Sequence, residues 1–283
     1  MMKQMKFCGR AISVLLVMFG VNFANYASAE TAVSDLRTKG AVLGLAEEPP
    51  YATFSADGKL SGAAADLTVA VLKKMGIEKV TPKVTDWGSL IPGVQAHRFD
   101  LVSTGLYIKP ARCKAVLFSQ PDVCTSEGFA VKKGNPLNLT TFQDLKKQGV
   151  RVGVCGGCAE EKRALEVGVA RDQLVTLSDA FNGMEMLKAG RIDVVIWPDA
   201  TLASTISKMK AQDLEVVSPL KGEPLQCSGV VFNAGDRSFR DEYDKMLAEM
   251  KRNGEFDTII SPYGFNPAFA KSVTRDVLCE GPN

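Results

Sequence analysis

Along this chain, apolar runs of strand length alternate with segments whose apolar residues recur at helical spacing, and that alternation limits the folds open to it. Strand and helix repeated in this way are the signature of α/β layers around a largely parallel sheet. Residues 41–46 read as a strand stopped by Pro49-Pro50, with Asp57-Gly58 as a turn. Residues 63–75 carry Leu67, Ala70, Val71 and Met75 on one helical face, and Gly76 follows as a stop. Strands are expected at 80–84 and 99–104, with a short helix at 89–96 between them. A second series runs through strand 129–132, helix 142–147, strand 150–154, helix 160–166, strand 174–177, helix 180–188 and strand 192–197. Another strand at 230–232 precedes a long amphipathic helix at 239–252 and a last one near 256–260. Two βα series of similar size, with a helical remainder, predict two lobes in which the chain leaves the first and later returns to it.

The N-terminus has the layout of a secretory leader. Lys3, Lys6 and Arg10 precede an apolar run from Ala11 to Phe23, which gives way to Ala27-Ser28-Ala29. The run is too short for the roughly 20 residues a membrane-spanning helix needs, so cleavage after Ala29 is expected. Cys8 lies before the apolar run and is badly placed to carry a lipid. Without residues 1–29 the formal charge moves from +2 to −1, because three basic residues and no acid are lost. A near-neutral surface argues against nucleic acid as a partner. With 46% hydrophobic and 23% charged residues the remainder is globular in composition, and none of it is apolar enough to cross a membrane.

Six cysteines remain: Cys113, Cys124, Cys155, Cys158, Cys227 and Cys279. An even count in an exported chain points to disulfides, and six cysteines allow fifteen pairings among which sequence does not choose. Cys155-Gly-Gly-Cys158 also has the spacing of a redox-active or metal-binding pair. His97 is the sole histidine and no second closely spaced pair exists, so no metal site and no cofactor are expected.

Several motifs in order resemble the amino-acid family of periplasmic solute-binding proteins. They are Glu48-Pro-Pro-Tyr51, residues 62–66 opening a helix, Trp87 leading into Leu90-Ile91-Pro92-Gly93, Gly105 through Arg112, and Phe118-Ser119-Gln120-Pro121. Gly190 through Asp193, Asn253 through Phe256 and Tyr263-Gly264-Phe265 extend the likeness to the C-terminus. Within that family the chain most resembles the ectoine- and hydroxyectoine-binding branch, through residues 61–64, 109–113 and 160–162. The resemblance implies a two-lobed type II binding protein with its ligand cleft between lobes joined by two crossover strands, near 124–129 and 223–229. Residues 30–126 with 228–283 would form one lobe and 127–227 the other. It also implies a periplasmic monomer that delivers a small zwitterionic ligand to the membrane subunits of an ABC importer.

The resemblance assigns candidate ligand-binding residues as well. Arg112 follows a strand-to-loop passage, and in the family the arginine at this place binds the ligand carboxylate; its planar fork suits that task. The turn from Gly156 to Ala159, with Cys158, sits between a strand and a helix, where backbone N–H groups can assist in holding an anion. Many relatives have a hydroxyl residue where this chain has Ala159, which removes one expected hydrogen bond. Tyr51, Trp87 and Tyr107 fall at cleft-lining positions, and aromatic faces around a cation contribute roughly 0.5–2 kcal/mol each. Glu48 would neutralise the cationic part of the ligand. Asp199 lies where amino-acid binders present an acid to the ligand's α-amino group, which pulls toward an α-amino acid; it could instead cap the helix that follows. No nucleophile–base pair or phosphate loop is recognisable, so no catalytic residue is expected, although the same fold hosts dehydratases that use cleft carboxylates.

Overall fold

The computed structural model describes residues 33–55 and 57–281. The leader expected at residues 1–29 lies outside them.

Two five-stranded sheets organise the chain. In the first, the strands run in the order Val80–Val84, Ala41–Leu45, Leu101–Val102, Val231–Phe232, Leu117–Phe118. In the second, the order is Leu174–Leu177, Val152–Cys155, Val194–Pro198, Glu127–Lys132, Leu214–Val217. In each sheet four of the five strands run the same way, in keeping with the expected largely parallel sheets, and one runs against them. Val231–Phe232 is antiparallel to both its neighbours, and so is Glu127–Lys132. The reason is topological: each of these strands follows a crossover from the other sheet, Cys124–Thr125 or Gln226–Cys227, and enters its sheet directly instead of through a βα turn. The two crossovers pair antiparallel with Cys227 opposite Cys124, and a disulfide joins those two residues.

Side-chain periodicity explains the layers. Along Val194–Pro198, Val194 and Ile196 enter one core with Phe129, Val152 and Phe142, whereas Val195 and Trp197 enter another with Met184, Leu187 and Leu202. A strand buried on both faces in this way is covered by helices on both sides. In the first lobe, helix Ala63–Lys74 buries Leu67, Val71 and Leu72, and Gly76 follows it with a positive φ of 80°. Helix Arg237–Asn253 presents Phe239, Tyr243, Leu247 and Met250 at three- and four-residue spacing to the same core.

Several elements lie beyond the periodicity reading. Residues 142–146 form a 3₁₀ helix, not an α-helix, started by a capping box between Thr141 and Asp144. Strand Leu214–Val217, helix Val33–Lys39 and helix Arg275–Glu280 complete the lobes. A disulfide between Cys113 and Cys279 fastens the last of these helices to Pro110–Cys113, and a third links Cys155 to Cys158. Among the described residues no helix is long and apolar enough to cross a membrane.

Candidate ligand-binding cleft

The loop after Ala41–Leu45 folds tightly, the Glu48 amide donating to Ala52 O at 2.7 Å and the Tyr51 amide to Glu48 O at 2.7 Å. That turn aims Glu48 and Tyr51 into the space between the lobes. Opposite the Tyr51 ring lies Gly105, at φ 81°, where a Cβ would sit 2.5 Å from Tyr51 Cδ1; only glycine lets the ring lie against the backbone there. Tyr107 follows on the same passage, bridged to Ser228, and Pro110–Cys113 carries Arg112. Trp87 packs against hydrophobic clusters of both lobes.

These residues converge. One pocket is lined by Glu48, Tyr51, Trp87, Tyr107, Arg112 and Ala159, together with Gly105, Cys155, Glu160, Trp197 and Pro198. An adjoining chamber of about 730 Å³ shares Arg112 and Ala159 with it and holds Cys158, Lys109, Glu127 and Gln226. Seven of the eight expected binding residues therefore line one or other compartment of a single cleft. Asp199 is the exception. Its carboxylate accepts from Thr125 Oγ and from Ser218 Oγ, each at 2.6 Å, so both oxygens are engaged beside the crossovers and the residue lines neither compartment. It does not cap its helix either, being the first helical residue after Pro198.

The polar groups of the pocket are unevenly satisfied. Glu48 Oε1 accepts from Trp197 Nε1 and from Thr201 Oγ, each at 2.7 Å, and both donors belong to the opposite lobe. Burial pushes the Glu48 carboxyl up to about 8, against the pull of those two hydrogen bonds. Arg112 donates Nη1 to Tyr107 O at 3.0 Å and forms no ion pair among the described residues. Burial lowers its affinity for a proton while Glu160 and Tyr107 act in the other direction. Among the described residues the buried hydroxyl of Tyr107 has no hydrogen-bond partner, and that of Tyr51 lies beside Thr125 without a well-formed hydrogen bond. Both phenols are pushed well up by burial and remain donors.

In the Gly156–Ala159 turn, where backbone N–H groups were expected to assist in holding an anion, one amide is taken. The Gly157 amide donates to Glu161 Oε2 at 2.7 Å and is already engaged, while Cys158 serves as N-cap residue with no side-chain cap. The disulfide between Cys155 and Cys158 closes this turn.

Trp197, Thr201 and Glu160 are cleft residues that the sequence reading did not single out. Trp197 is the penultimate residue of its strand, and ligands of α/β proteins gather at the carboxyl ends of strands, so its place as the one aromatic of the run 192–197 was the available signal. Thr201 and Glu160 carry no such mark.

Two mixed α/β lobes, a double crossover and a cleft in which a buried arginine faces aromatic walls define a type II extracytoplasmic solute-binding protein. Residues 42–266 match the model of the bacterial extracellular solute-binding proteins, family 3, and the chain belongs to that family. It is 30% identical to the probable amino-acid ABC transporter periplasmic-binding protein y4tE of Sinorhizobium fredii, over 96% of this chain and 93% of that one. Among solved structures, EhuB in complex with hydroxyectoine superimposes with a TM-score of 0.86 at 42% identity, covering 88% of this chain and 98% of EhuB. An ancestral arginine-binding protein bound to arginine gives 0.71 at 30% identity, covering 79% and 97%. The chain is thus the periplasmic solute-binding component of an amino-acid-type ABC importer.

Proposed function

We propose that the cleft captures a small zwitterion of the ectoine or hydroxyectoine type. Arg112 receives its carboxylate, and its delocalised cation lies among Tyr51, Trp87 and Tyr107 with Glu48 as charge partner. The observation that carries this reading is the convergence, in one pocket, of a buried arginine that forms no ion pair among the described residues and two buried phenols that lack a well-formed hydrogen bond. A ligand carboxylate supplies acceptors for such donors, and the aromatic walls favour a spread-out cation over a compact ammonium. Asp199, the acid that an α-amino group would need, is engaged beside the crossovers. The likeness to EhuB supports the same assignment. In this reading residues 30–126 with 228–283 and residues 127–227 move as two bodies about the crossovers, and the protein acts as a monomer.

A thermal-shift screen of the mature protein against ectoine, hydroxyectoine, betaines and amino acids tests the proposal. Ligand at 100 times its dissociation constant stabilises the fold by about 2.7 kcal/mol. Stabilisation by an α-amino acid with none by the ectoines would replace the ligand assignment. Recovery of the bound compound chemically altered would replace binding by catalysis of the dehydratase kind.

A further inference from the structure

The zwitterion reading gives tasks to Arg112, the aromatic walls and Glu48, and it leaves two buried carboxyls of the same cleft without one. Glu160 lines the pocket from the first turn of helix Ala159–Glu166, and Glu127 lines the adjoining chamber from the start of strand Glu127–Lys132. Both are buried, and Glu127 Oε2 has no hydrogen-bond partner. Among the described residues neither acid forms an ion pair. The cations that face them, Lys109 and Arg112, come from the opposite lobe and are equally without one; Lys109 donates to Gln226 and Arg112 to a carbonyl. Glu223, the next acid outward, is held by Arg163 at 2.8 Å.

A charge count follows from this arrangement. When a zwitterion binds, its carboxylate matches Arg112 and its cation matches an ionised Glu48. Lys109 then faces Glu127 and Glu160 alone, which leaves one buried negative charge in excess. An unpaired buried carboxylate is strongly disfavoured and takes up a proton or a cationic partner instead. We propose that Glu127 and Glu160 form a second, acidic subsite of the cleft that receives one positive charge when the lobes close on ligand. A proton supplies it when the ligand is a neutral zwitterion, and a further cationic group supplies it when the ligand is a dibasic carboxylate.

The electrostatics agree with the geometry. Burial raises both carboxyls, and the neighbouring Glu160 raises Glu127 further; Lys109 opposes this for both, Arg112 opposes it for Glu160, and Glu223 adds to it for Glu127. Two adjoining carboxyls in a site of low polarity hold one proton between them. The inference rests on the zwitterion reading for the place of the ligand carboxylate on Arg112.

Calorimetric titration of the mature protein near pH 8, in two buffers of different ionisation heat, counts the protons exchanged on binding. Hydroxyectoine and arginine are the two probes. The count for hydroxyectoine should exceed that for arginine by about one proton, and the E127Q/E160Q variant should bring the two counts together. Equal counts in the wild-type protein overturn the proposal, whether or not the variant folds. If only a neutral ligand binds, the ratio of wild-type to E127Q/E160Q affinity should fall toward about tenfold per pH unit on the alkaline side, since the proton Glu48 gives up is common to both proteins. If only arginine binds, its affinity should drop at least about tenfold in that variant, the loss expected when a buried charge loses its partner; in either case an unchanged response overturns the subsite. If neither probe binds, the ligand assignment fails by itself. Infrared spectra of the ligand-free protein at pH 7.5 then decide the subsite, since wild type must show one more protonated carboxyl than E127Q/E160Q, and equal numbers overturn it.

Discussion

Glu48 joins the two lobes through a single oxygen, and its proton decides how comfortably it does so. A carboxyl raised to about 8 from an ordinary value of 4.5 binds its proton more tightly in the folded protein than in the unfolded chain. Its contribution is therefore undiminished at acid pH and is lost as pH rises from about 4.5 through about 8. Thermal melts of the ligand-free protein between pH 5 and 8.5 should show a falling midpoint, with a slope shallower in Glu48→Gln by up to about 1.4 kcal/mol per pH unit, one proton's worth. Arg112 and Asp199 make a contrasting pair. Arg112→Ala removes the carboxylate's partner and should weaken binding by at least a hundredfold, within the roughly 2–5 kcal/mol such losses carry. Asp199→Asn disturbs two hydrogen bonds beside the crossovers, so it should lower the melting midpoint while leaving affinity within about threefold, roughly 0.7 kcal/mol. Glu48→Gln and Trp87→Ala should each weaken binding more than Asp199→Asn does. Calorimetric titration of the four variants reads the ranking, and an Asp199→Asn loss second only to Arg112→Ala would return the acid to the binding machinery.

At the level of elements, the turn between strand Val152–Cys155 and helix Ala159–Glu166 lines the cleft with backbone held by a disulfide and a Glu161 side chain. Replacing Cys155 and Cys158 together by serine should change affinity by less than about tenfold, about 1.4 kcal/mol, and reveal no loss of thiol–disulfide exchange activity. Helix Arg237–Asn253 makes the opposite kind of contribution, through packing. Leu247→Ala empties a fully buried site and should lower unfolding free energy by about 2–5 kcal/mol in denaturant titration. The long elements were legible because burial imposes their period: helix 239–252 was expected within two residues of its observed ends, and strand 174–177 at its observed bounds. Two-residue strands carry no period, so Leu117–Phe118 was invisible and Gln226–Cys227 was expected only through the family resemblance. In the cleft, motif order located Glu48, Tyr51, Trp87, Tyr107, Arg112, Cys158 and Ala159. Glu160 and Thr201 escaped because a polar residue on a first helical turn looks alike in sequence whether it faces water or a buried cleft, and the engagement of Asp199 was not legible because the serine and threonine that hold it are 19 and 74 residues away.

Taken as a whole, the molecule meets across the cleft: Trp197 and Thr201 reach Glu48, and Gly88 approaches the Gly156–Gly157 turn. Trp197→Phe keeps the aromatic wall and deletes the indole donor, so it should shift the empty protein toward open forms. Small-angle scattering should record a larger radius of gyration for ligand-free Trp197→Phe than for wild type, with ligand restoring the compact value. Identical ligand-free curves would remove the Glu48 contacts from the closing equilibrium. The disulfide between Cys113 and Cys279 ties a distant part of the chain to the same event. Because Cys113 adjoins Arg112, Cys279 acts as a guy-rope on the guanidinium proposed to hold the ligand carboxylate. A chain lacking Cys279 would retain both sheets and every cleft side chain, yet that guanidinium would lose its stay.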